Sequence, residues 1–202
     1  EGINSQMLLD KVSIQNKHLL QKLELLNYIE KADIEVLVTM GAGDIDRFVN
    51  PIRDLLKSKN AFMSVSHCEG YAVCIVSKEY NVGVDFEPMR TKVVRLATKF
   101  LSPNEMAFIE PENNIKHLIT CWAMKEAAFK WYGREYISFK NNINISPFRY
   151  NDNLSRIRVD IVAPNTTYSL KAFHLHIQNH SLVFCFAKKD LQSQDLKEIL
   201  HL

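Results

Sequence analysis

Residues 121–133 read CWAMKEAAFKWYG, an apolar stretch that carries three charged side chains in its middle. The composition predicts a helix that packs against a core, and the final glycine is a typical helix stop. Trp122, Glu126 and Lys130 are four residues apart, so they form one stripe on that helix, with Lys125 beside it. Such a stripe is either a solvated Glu–Lys pair or the lining of a cleft that holds a ligand.

The overall composition is that of a globular protein. Of 202 residues, 47% are hydrophobic and 24% are charged, which suits one domain or two small ones. The formal net charge of +2 argues against nucleic acid or an anionic membrane as a partner. No apolar run reaches the roughly 18 residues that span a bilayer, and no signal-like start is seen. The four cysteines show no zinc-ligand spacing, so reduced thiols in a cytoplasmic protein are expected.

Residues 1–60 predict a helix–strand–helix segment with an α/β pattern. Residues 17–31 place leucines at helical spacing, 34–40 are typical of a short buried strand, and a helix is predicted over 45–57. The glycine turn at 41–46 lies between strand and helix, where phosphate can bind. It lacks the Lys-Ser/Thr of a P-loop, so an ordinary tight turn is favoured.

The sequence changes character near residue 60, so we predict one segment over 1–60 and a second over 61–202. In the second segment we predict strands at 61–67, 71–78 and 81–87, helices at 91–100, 103–110 and 114–133, strand-like runs at 142–150, 154–162, 167–177 and 181–188, and an amphipathic tail helix at 190–202. Runs of strands followed by runs of helices indicate an α+β fold.

Two acidic residues, Asp85 and Glu87, share one face of the strand predicted at 81–87, because side chains alternate along a strand. Neighbouring carboxylates repel each other unless a cation lies between them, and hard oxygen ligands suit Mg²⁺. The alternative is an edge strand whose polar face contacts water, and this pair alone favours that alternative. Glu126 would add a third carboxylate, and Lys130 would add a phosphate ligand.

Ser66 and His67 end the strand predicted at 61–67. Adjacent strand residues point to opposite faces, so a nucleophile–base pair is disfavoured. A hydroxyl and an imidazole are both suitable donors to a phosphate, which is the better interpretation. His174 and His176 share a strand face without an obvious third metal ligand, so ordinary structural histidines are expected there.

Three motifs occur in order along the chain: SVSH at 64–67, VGVDFE at 82–87 and CWAMKEAAFK at 121–130. Together they resemble the 4′-phosphopantetheinyl transferases of the surfactin-synthetase-activating type. That family's pattern runs Ser-His, then Gly-(Val/Ile)-Asp-x-Glu, then Trp-x-x-Lys-Glu-(Ala/Ser)-x-x-Lys. The resemblance covers about 61–187, and it implies an antiparallel sheet packed with helices.

The resemblance also implies a reaction. It is the transfer of phosphopantetheine from coenzyme A to a serine of an apo acyl or peptidyl carrier protein, with release of adenosine 3′,5′-bisphosphate. This is the activity of the holo-[acyl-carrier-protein] synthase type, and it connects the chain to fatty acid biosynthesis. By the same resemblance, Asp85, Glu87 and Glu126 would bind Mg²⁺ together with the coenzyme A pyrophosphate. Glu126 would also be the base for the incoming serine hydroxyl.

The remaining site residues are likewise implied by the resemblance. Lys130 would contact the phosphate that is transferred. Lys125, Ser66 and His67 would bind coenzyme A, the last two near its 3′-phosphate.

Residues 1–59 resemble a different family, the extreme C-terminus of UDP-N-acetylmuramate–L-alanine ligase. The stretch EVLVTMGAGDIDRFVNPIRDLL at 35–56 carries this resemblance. In that family it is the closing helix–strand–helix of the last domain, without the ATP loop or the central domain. Ligase activity is therefore not expected here.

The transferases of this type have two similar halves, and the first half, with its Gly-Lys-Pro, is not found before the Ser-His strand. One interpretation is self-association that completes the coenzyme A pocket, as in the small holo-carrier-protein synthases, whose sites lie between subunits. Another is a catalytically incomplete fusion or truncated relic. A third is a ligase fragment that acts as an interaction module.

Overall fold

A computed structural model describes residues 6, 9–10, 16–32, 35–42, 47–57, 61–68, 70–133 and 136–188. It shows an α+β fold with antiparallel sheets. The predicted tail helix at 190–202 and most of the glycine turn at 41–46 lie outside the described residues. No helix in the described part of the chain is long and apolar enough to cross a membrane.

The first three strands form a small antiparallel sheet in the order β1-β3-β2. Its elements are α1 (Leu25–Lys31), β1 (Val36–Ala42), α2 (Val49–Lys57), β2 (Phe62–Cys68) and β3 (Tyr71–Ser77). Cys74 and Val76 of β3 belong to the core that this sheet shares with α1 and α2. The two helices therefore cover one face of the sheet.

The other strands form a five-stranded antiparallel sheet in the order β4-β8-β7-β6-β5. Its elements are β4 (Asn81–Pro88), α3 (Lys92–Phe100), α4 (Pro103–Met106), α5 (Asn114–Tyr132), α6 (Phe139–Asn142), β5 (Ile143–Ile145), β6 (Ser155–Ala163), β7 (Thr166–Ile177) and β8 (His180–Ala187). The long helix α5 packs across one face of this sheet, on β4 and β8. The helix ends at Gly133, which caps it in a left-handed conformation, as the sequence predicts.

The two sheets share a second hydrophobic core on the face opposite α5. Val84 and Phe86 of β4 pack there with Val73 and Ile75 of β3. Because side chains alternate along β4, the residue between them, Asp85, points towards α5 instead. The order of layers is thus helices, small sheet, large sheet and α5.

Two serines of β2 join the sheets at the free edge of β4. Ser64 Oγ accepts a hydrogen bond from the Val84 N–H at 3.1 Å, and Ser66 Oγ accepts one from the Phe86 N–H at 3.1 Å. All four residues are buried, so these backbone donors would otherwise lack partners in a dry environment. The side chains of β2 therefore fix the position of β4 at Asp85.

Gly83 is the point of closest approach between β4 and α5. A Cβ atom at this position would overlap the Ala127 carbonyl oxygen and would lie 2.9 Å from Trp131 N. Only a residue without a side chain lets the backbones come this close. The glycine therefore sets how near the charged stripe of α5 comes to β4.

The strands predicted at 61–67, 71–78 and 81–87 and the helix at 114–133 are confirmed. Two helices are shorter than predicted. The segment 17–31 is helical only from a 3-10 turn at Lys22–Glu24 onwards. The helix predicted at 103–110 ends at Met106, and the run at 142–150 contains only the three residues of β5.

The predicted α/β character of residues 1–60 is corrected by the pairing of β1. This strand pairs antiparallel with β3 along its whole length, from Val36 opposite Ser77 to Ala42 opposite Tyr71. Both faces of β1 are apolar and are covered, one by the core between the sheets and the other by the core under the helices. The ligase-like segment thus contributes a strand to the sheet that carries Ser66. The domain boundary near residue 60 stays a prediction.

Replacing Gly83 with alanine should destabilise the protein by about 1–3 kcal/mol, because the new methyl group displaces α5. Urea unfolding followed by circular dichroism measures this change. Asn81→Ala, at the start of the same strand, is the control for the effect of alanine in β4. A Gly83→Ala variant as stable as wild type would show that α5 has room to move.

A buried polar network joins α5 to β7 and β8. Thr120 Oγ1 lies 3.2 Å from His174 Nε2 and 3.2 Å from Ser181 Oγ. The pKa of His174 is lowered to about 4, mainly by burial and to a smaller extent by the nearby His176. His174 is therefore a neutral structural histidine near neutral pH, as the sequence predicts.

This burial predicts a loss of stability in acid. The ordinary histidine pKa is 6.5, so below that value the unfolded chain takes up a proton that folded His174 does not. Its contribution to the free energy of unfolding is complete above pH 6.5 and is lost as the pH falls towards about 4. Between about pH 7 and about pH 4.5, His174→Gln should lose less stability than wild type in urea titrations. His67→Gln, at an exposed position, should keep the wild-type loss, and identical losses in all three proteins would contradict the assignment.

Candidate functional site

Asp85 of β4 lies at the centre of the candidate site and is only 3% exposed. The Lys130 ammonium donates to Asp85 Oδ1 at 2.8 Å and to the Val84 carbonyl at 2.9 Å. Ser66 Oγ donates to the same Asp85 oxygen at 2.9 Å. The other oxygen, Oδ2, is buried and has no hydrogen-bond partner among the described residues. One oxygen of this carboxylate is therefore available to a further ligand.

Glu87 lies two residues further along β4, on the same face as Asp85. The indole Nε1 of Trp122, from α5, donates to Glu87 Oε1 at 3.2 Å and so orients this carboxylate. Burial raises the pKa of Glu87, and the charge of Asp85 raises it further. Through Trp122 and Lys130, the stripe of α5 therefore faces the two acidic residues of β4.

Glu126 is the third carboxylate of the cluster and is half-buried. Burial raises its pKa to about 7, with further upward contributions from Asp85 and Glu87 and a downward one from Lys130. These couplings place Glu126 in the same electrostatic environment as the β4 carboxylates. It is therefore partly protonated near neutral pH in the absence of a cation.

The donor set fits a hard divalent cation. Lys130 is paired with Asp85, and the charges of Asp85 and Lys130 also act on Glu87 and Glu126, so a further positive charge would favour the ionised forms of the three carboxylates. Among the described residues, no three His, Cys, Asp or Glu side chains are gathered closely enough to hold a metal by themselves. Mg²⁺ usually keeps several waters and binds through one or two carboxylates plus substrate phosphates, which agrees with this more open arrangement. The unpartnered Asp85 Oδ2 is the oxygen that such an ion would use.

The structure separates Ser66 from His67. Ser66 is buried against Asp85, where its hydroxyl both donates to the carboxylate and accepts from the backbone of β4. His67 is exposed at the next position of β2, on the opposite side of the strand. The serine is thus part of the carboxylate cluster, whereas the histidine lies outside it.

Lys125 is not part of the cluster either. Its side chain is completely buried, and its ammonium group lies 2.8 Å from Glu105 Oε1. It also donates to the carbonyls of Phe139, at 2.7 Å, and Ile143. Burial lowers its pKa, while Glu105 opposes that shift. The coenzyme A contact that the resemblance implies for Lys125 therefore has no support in this arrangement.

Two residues of structural importance for the site were missed by the analysis of the sequence. Gly83 could have been identified, because a glycine inside a strand often marks a close backbone approach. Glu105 gave a weaker signal. It follows Ser102 by three residues, which is the spacing of a capping box. A capping role is enough to explain a glutamate at this position, so the sequence gives no reason to expect a buried ion pair.

Comparison with known families agrees with this geometry. The family model of the 4′-phosphopantetheinyl transferase superfamily matches residues 81–186, just over half of the chain. The match begins at β4 and ends at β8, so it includes the acidic cluster and α5. The chain belongs to the 4′-phosphopantetheinyl transferase superfamily.

Curated relatives match a short segment and belong to a different family, in agreement with the resemblance predicted for residues 1–59. The chain is 44% identical over 59 residues to UDP-N-acetylmuramate–L-alanine ligase of Cytophaga hutchinsonii and 51% identical over 59 residues to that of Flavobacterium psychrophilum. It is 45% identical over 56 residues to that of Flavobacterium johnsoniae. In the first two, the match covers 29% of this chain and 13% of the ligase.

Replacing Glu126 with glutamine should stabilise the metal-free protein at high pH. The folded pKa of Glu126, about 7, exceeds its ordinary value of 4.5. Its contribution to stability is therefore complete below pH 4.5 and is lost as the pH rises through about 7. Thermal unfolding in EDTA should give a higher Tm for Glu126→Gln than for wild type at about pH 8 and similar values at about pH 5.

The control for this prediction is Glu112→Gln, which changes an exposed glutamate just before α5. We expect its Tm to follow that of wild type at both pH values. A Glu126→Gln variant with the wild-type Tm at high pH would mean that neither burial nor the charge of Asp85 disfavours the ionised form of Glu126.

Proposed function

We propose that this chain transfers the 4′-phosphopantetheine group from coenzyme A to a serine of an apo acyl or peptidyl carrier protein, in a Mg²⁺-dependent reaction that releases adenosine 3′,5′-bisphosphate. One observation supports the proposal: Lys130 and Trp122 of α5 bind the β4 carboxylates Asp85 and Glu87 within the segment that matches the superfamily. The chemistry of that cluster suits a phosphoryl transfer.

Asp85, Glu87 and Glu126 are the proposed ligands of Mg²⁺. When bound, the ion supplies positive charge that stabilises the pyrophosphate and the leaving group. Lys130, now paired with Asp85, is the proposed contact to the transferred phosphate. An ammonium group beside the phosphoryl oxygens neutralises the charge that develops during transfer.

Glu126 is the proposed general base. In its ionised form it accepts the proton of the carrier serine hydroxyl, directly or through water, as the serine oxygen bonds to the phosphorus. The bond between that phosphorus and the bridging pyrophosphate oxygen breaks, and adenosine 3′,5′-bisphosphate leaves. Positive charge from a bound Mg²⁺ would favour the ionised form of Glu126, which is the form that accepts a proton.

The resemblance implies coenzyme A contacts for both Ser66 and His67. Because the Ser66 hydroxyl is bonded to Asp85 and to the Phe86 N–H, we propose that it holds Asp85 in place instead. His67 is proposed to contact the 3′-phosphate of coenzyme A. The exposed position of His67 leaves its imidazole accessible to a ligand. Fatty acid synthesis is the proposed context, through the carrier protein that the reaction activates, and the cytoplasm is the proposed location.

Mass spectrometry of an apo acyl carrier protein incubated with this chain, coenzyme A and Mg²⁺ tests the proposal. We expect a mass gain of one phosphopantetheine that is absent in EDTA. Asp85→Asn and Lys130→Ala should each reduce the rate by at least about a hundredfold, because each removes a charge that the reacting groups contact. Glu112→Gln and Lys99→Ala, which change exposed residues of the same charge types, are the matched controls.

No mass gain on several carrier proteins, from a chain shown to be folded, would favour the catalytically incomplete relic. Normal transfer by Asp85→Asn would instead exclude Asp85 as a ligand of the metal.

We also propose that two or more copies associate to complete the coenzyme A pocket, by analogy with the small members of this family. Light scattering coupled to size exclusion should then give a mass above that of one 23.4 kDa chain when coenzyme A and Mg²⁺ are present. A strictly monomeric chain that still binds coenzyme A would contradict self-association.

A further inference from the structure

We propose that Lys125 and Glu105 form a positioning pair that sets the rotation of α5, so that Glu126 and Lys130 face Asp85. This inference rests on the proposed function for its catalytic consequence. The pair itself is a feature of the fold and is testable without any transfer reaction.

The Lys125 ammonium is saturated by protein groups. It contacts the Glu105 carboxylate, with Nζ 2.8 Å from Oε1 and 2.9 Å from Oε2, and two backbone carbonyls, those of Phe139 and Ile143. An ammonium group has three N–H donors, so none remains for a phosphate of a ligand. The side chain is also completely buried, which excludes a ligand from reaching it without rearrangement.

Glu105 is bound just as tightly. Its Oε2 accepts from the N–H of Ser102 at 2.8 Å and from the Ser102 hydroxyl at 3.0 Å, while Oε1 accepts from the N–H of Ile145 at 2.9 Å. The residue is 3% exposed. A single carboxylate therefore fixes the start of α4 and the end of β5, and it holds α5 through Lys125.

Helix geometry explains why this matters for the site. Lys125 and Glu126 are consecutive, so their side chains leave the helix about 100° apart. Lys130 lies one turn after Glu126 and shares its face. The contact at Gly83 limits the distance between α5 and β4, and the bonds of Thr120 and Trp131 hold the helix against β7 and β8. Lys125 adds an anchor on a different side of the helix, about 100° from Glu126, and so fixes the direction in which Glu126 leaves the helix.

A buried ion pair is a costly way to obtain stability, because a well-packed apolar pair of similar volume is often as stable. A role in geometry accounts for its presence better. The same reasoning predicts that the two residues act as one unit. Replacing either partner should disturb the orientation of α5 as much as replacing both.

The chain has two tryptophans, which makes a direct readout of α5 available. The Trp122 indole donates to Glu87 in the site, and the Trp131 indole donates to the Ala187 carbonyl at 3.2 Å, further along the helix. Their N–H signals in ¹H–¹⁵N spectra of the metal-free protein are separate from any activity. A dispersed Trp131 signal reports that α5 is folded, and the Trp122 signal reports its orientation against Glu87.

The variants are Lys125→Met, Glu105→Gln and the double variant that carries both changes. The double variant leaves no uncompensated buried charge, so it tests the inference if a single variant does not fold. Lys116→Met is the matched control, because it removes a lysine ion pair with Asp152 from the partly exposed first turn of the same helix.

We expect the Trp122 indole N–H to shift and to exchange faster with solvent in all three pair variants but not in Lys116→Met. Terbium, used as a luminescent probe of the metal site, should bind about ten- to a hundredfold more weakly, as is typical when residues that orient metal ligands are replaced. The turnover number should fall by a similar factor, while the KM for coenzyme A stays within about twofold. The double variant should lose no more terbium affinity or turnover than a single variant.

An unchanged Trp122 signal in folded pair variants would overturn the inference. A raised KM for coenzyme A in Lys125→Met alone, with terbium affinity unchanged, would also overturn it and assign Lys125 to the ligand. If wild type transfers nothing or fails to bind terbium, the proposed function fails, and the indole signals still decide whether the pair orients α5.

Discussion

The site depends on the direct approach of α5 to the backbone of β4 at Gly83. A helix normally packs on a sheet through side chains on both elements, which holds the backbones well apart. Here the strand offers no side chain, and the Ala127 carbonyl occupies that space. Short carboxylates on β4 therefore come within reach of charged side chains on α5. A cluster of three acids and one lysine follows from this proximity and from the burial that accompanies it.

The strand that carries Asp85 is supported from both sides by residues that perform no chemistry. Ser64 and Ser66 hold its free edge, and Val84 and Phe86 anchor its other face in the core between the sheets. That core is completed by β1, which lies in the segment similar to peptidoglycan ligases. Segments that resemble two different families thus share one hydrophobic core, which lies between the two sheets.

Most of the site was predictable from the sequence, because its residues lie close together along β4 or along α5. Alternation places Asp85 and Glu87 on one face, and helical spacing places Glu126 with Lys130. The direction of Lys125 was not predictable. It depends on Glu105, which lies twenty residues earlier and is brought in by the tertiary fold. Similarly, the antiparallel pairing of β1 depends on β3 as a partner, and helical periodicity in its own segment contains no information about that partner.

The serines of β2 have a further consequence, for contacts between molecules. An exposed edge strand offers unpaired N–H groups on which another chain can form a further strand. The Val84 and Phe86 N–H groups of β4 are already bonded to hydroxyls, and β5, at the opposite edge of the large sheet, is only three residues long. The β4 border of this sheet is therefore a poor template for intermolecular β-structure. Copies of the chain that meet at the β4 edge would do so through side-chain surfaces, which keeps the edge beside Asp85 clear of the ordered aggregation that bare strands promote.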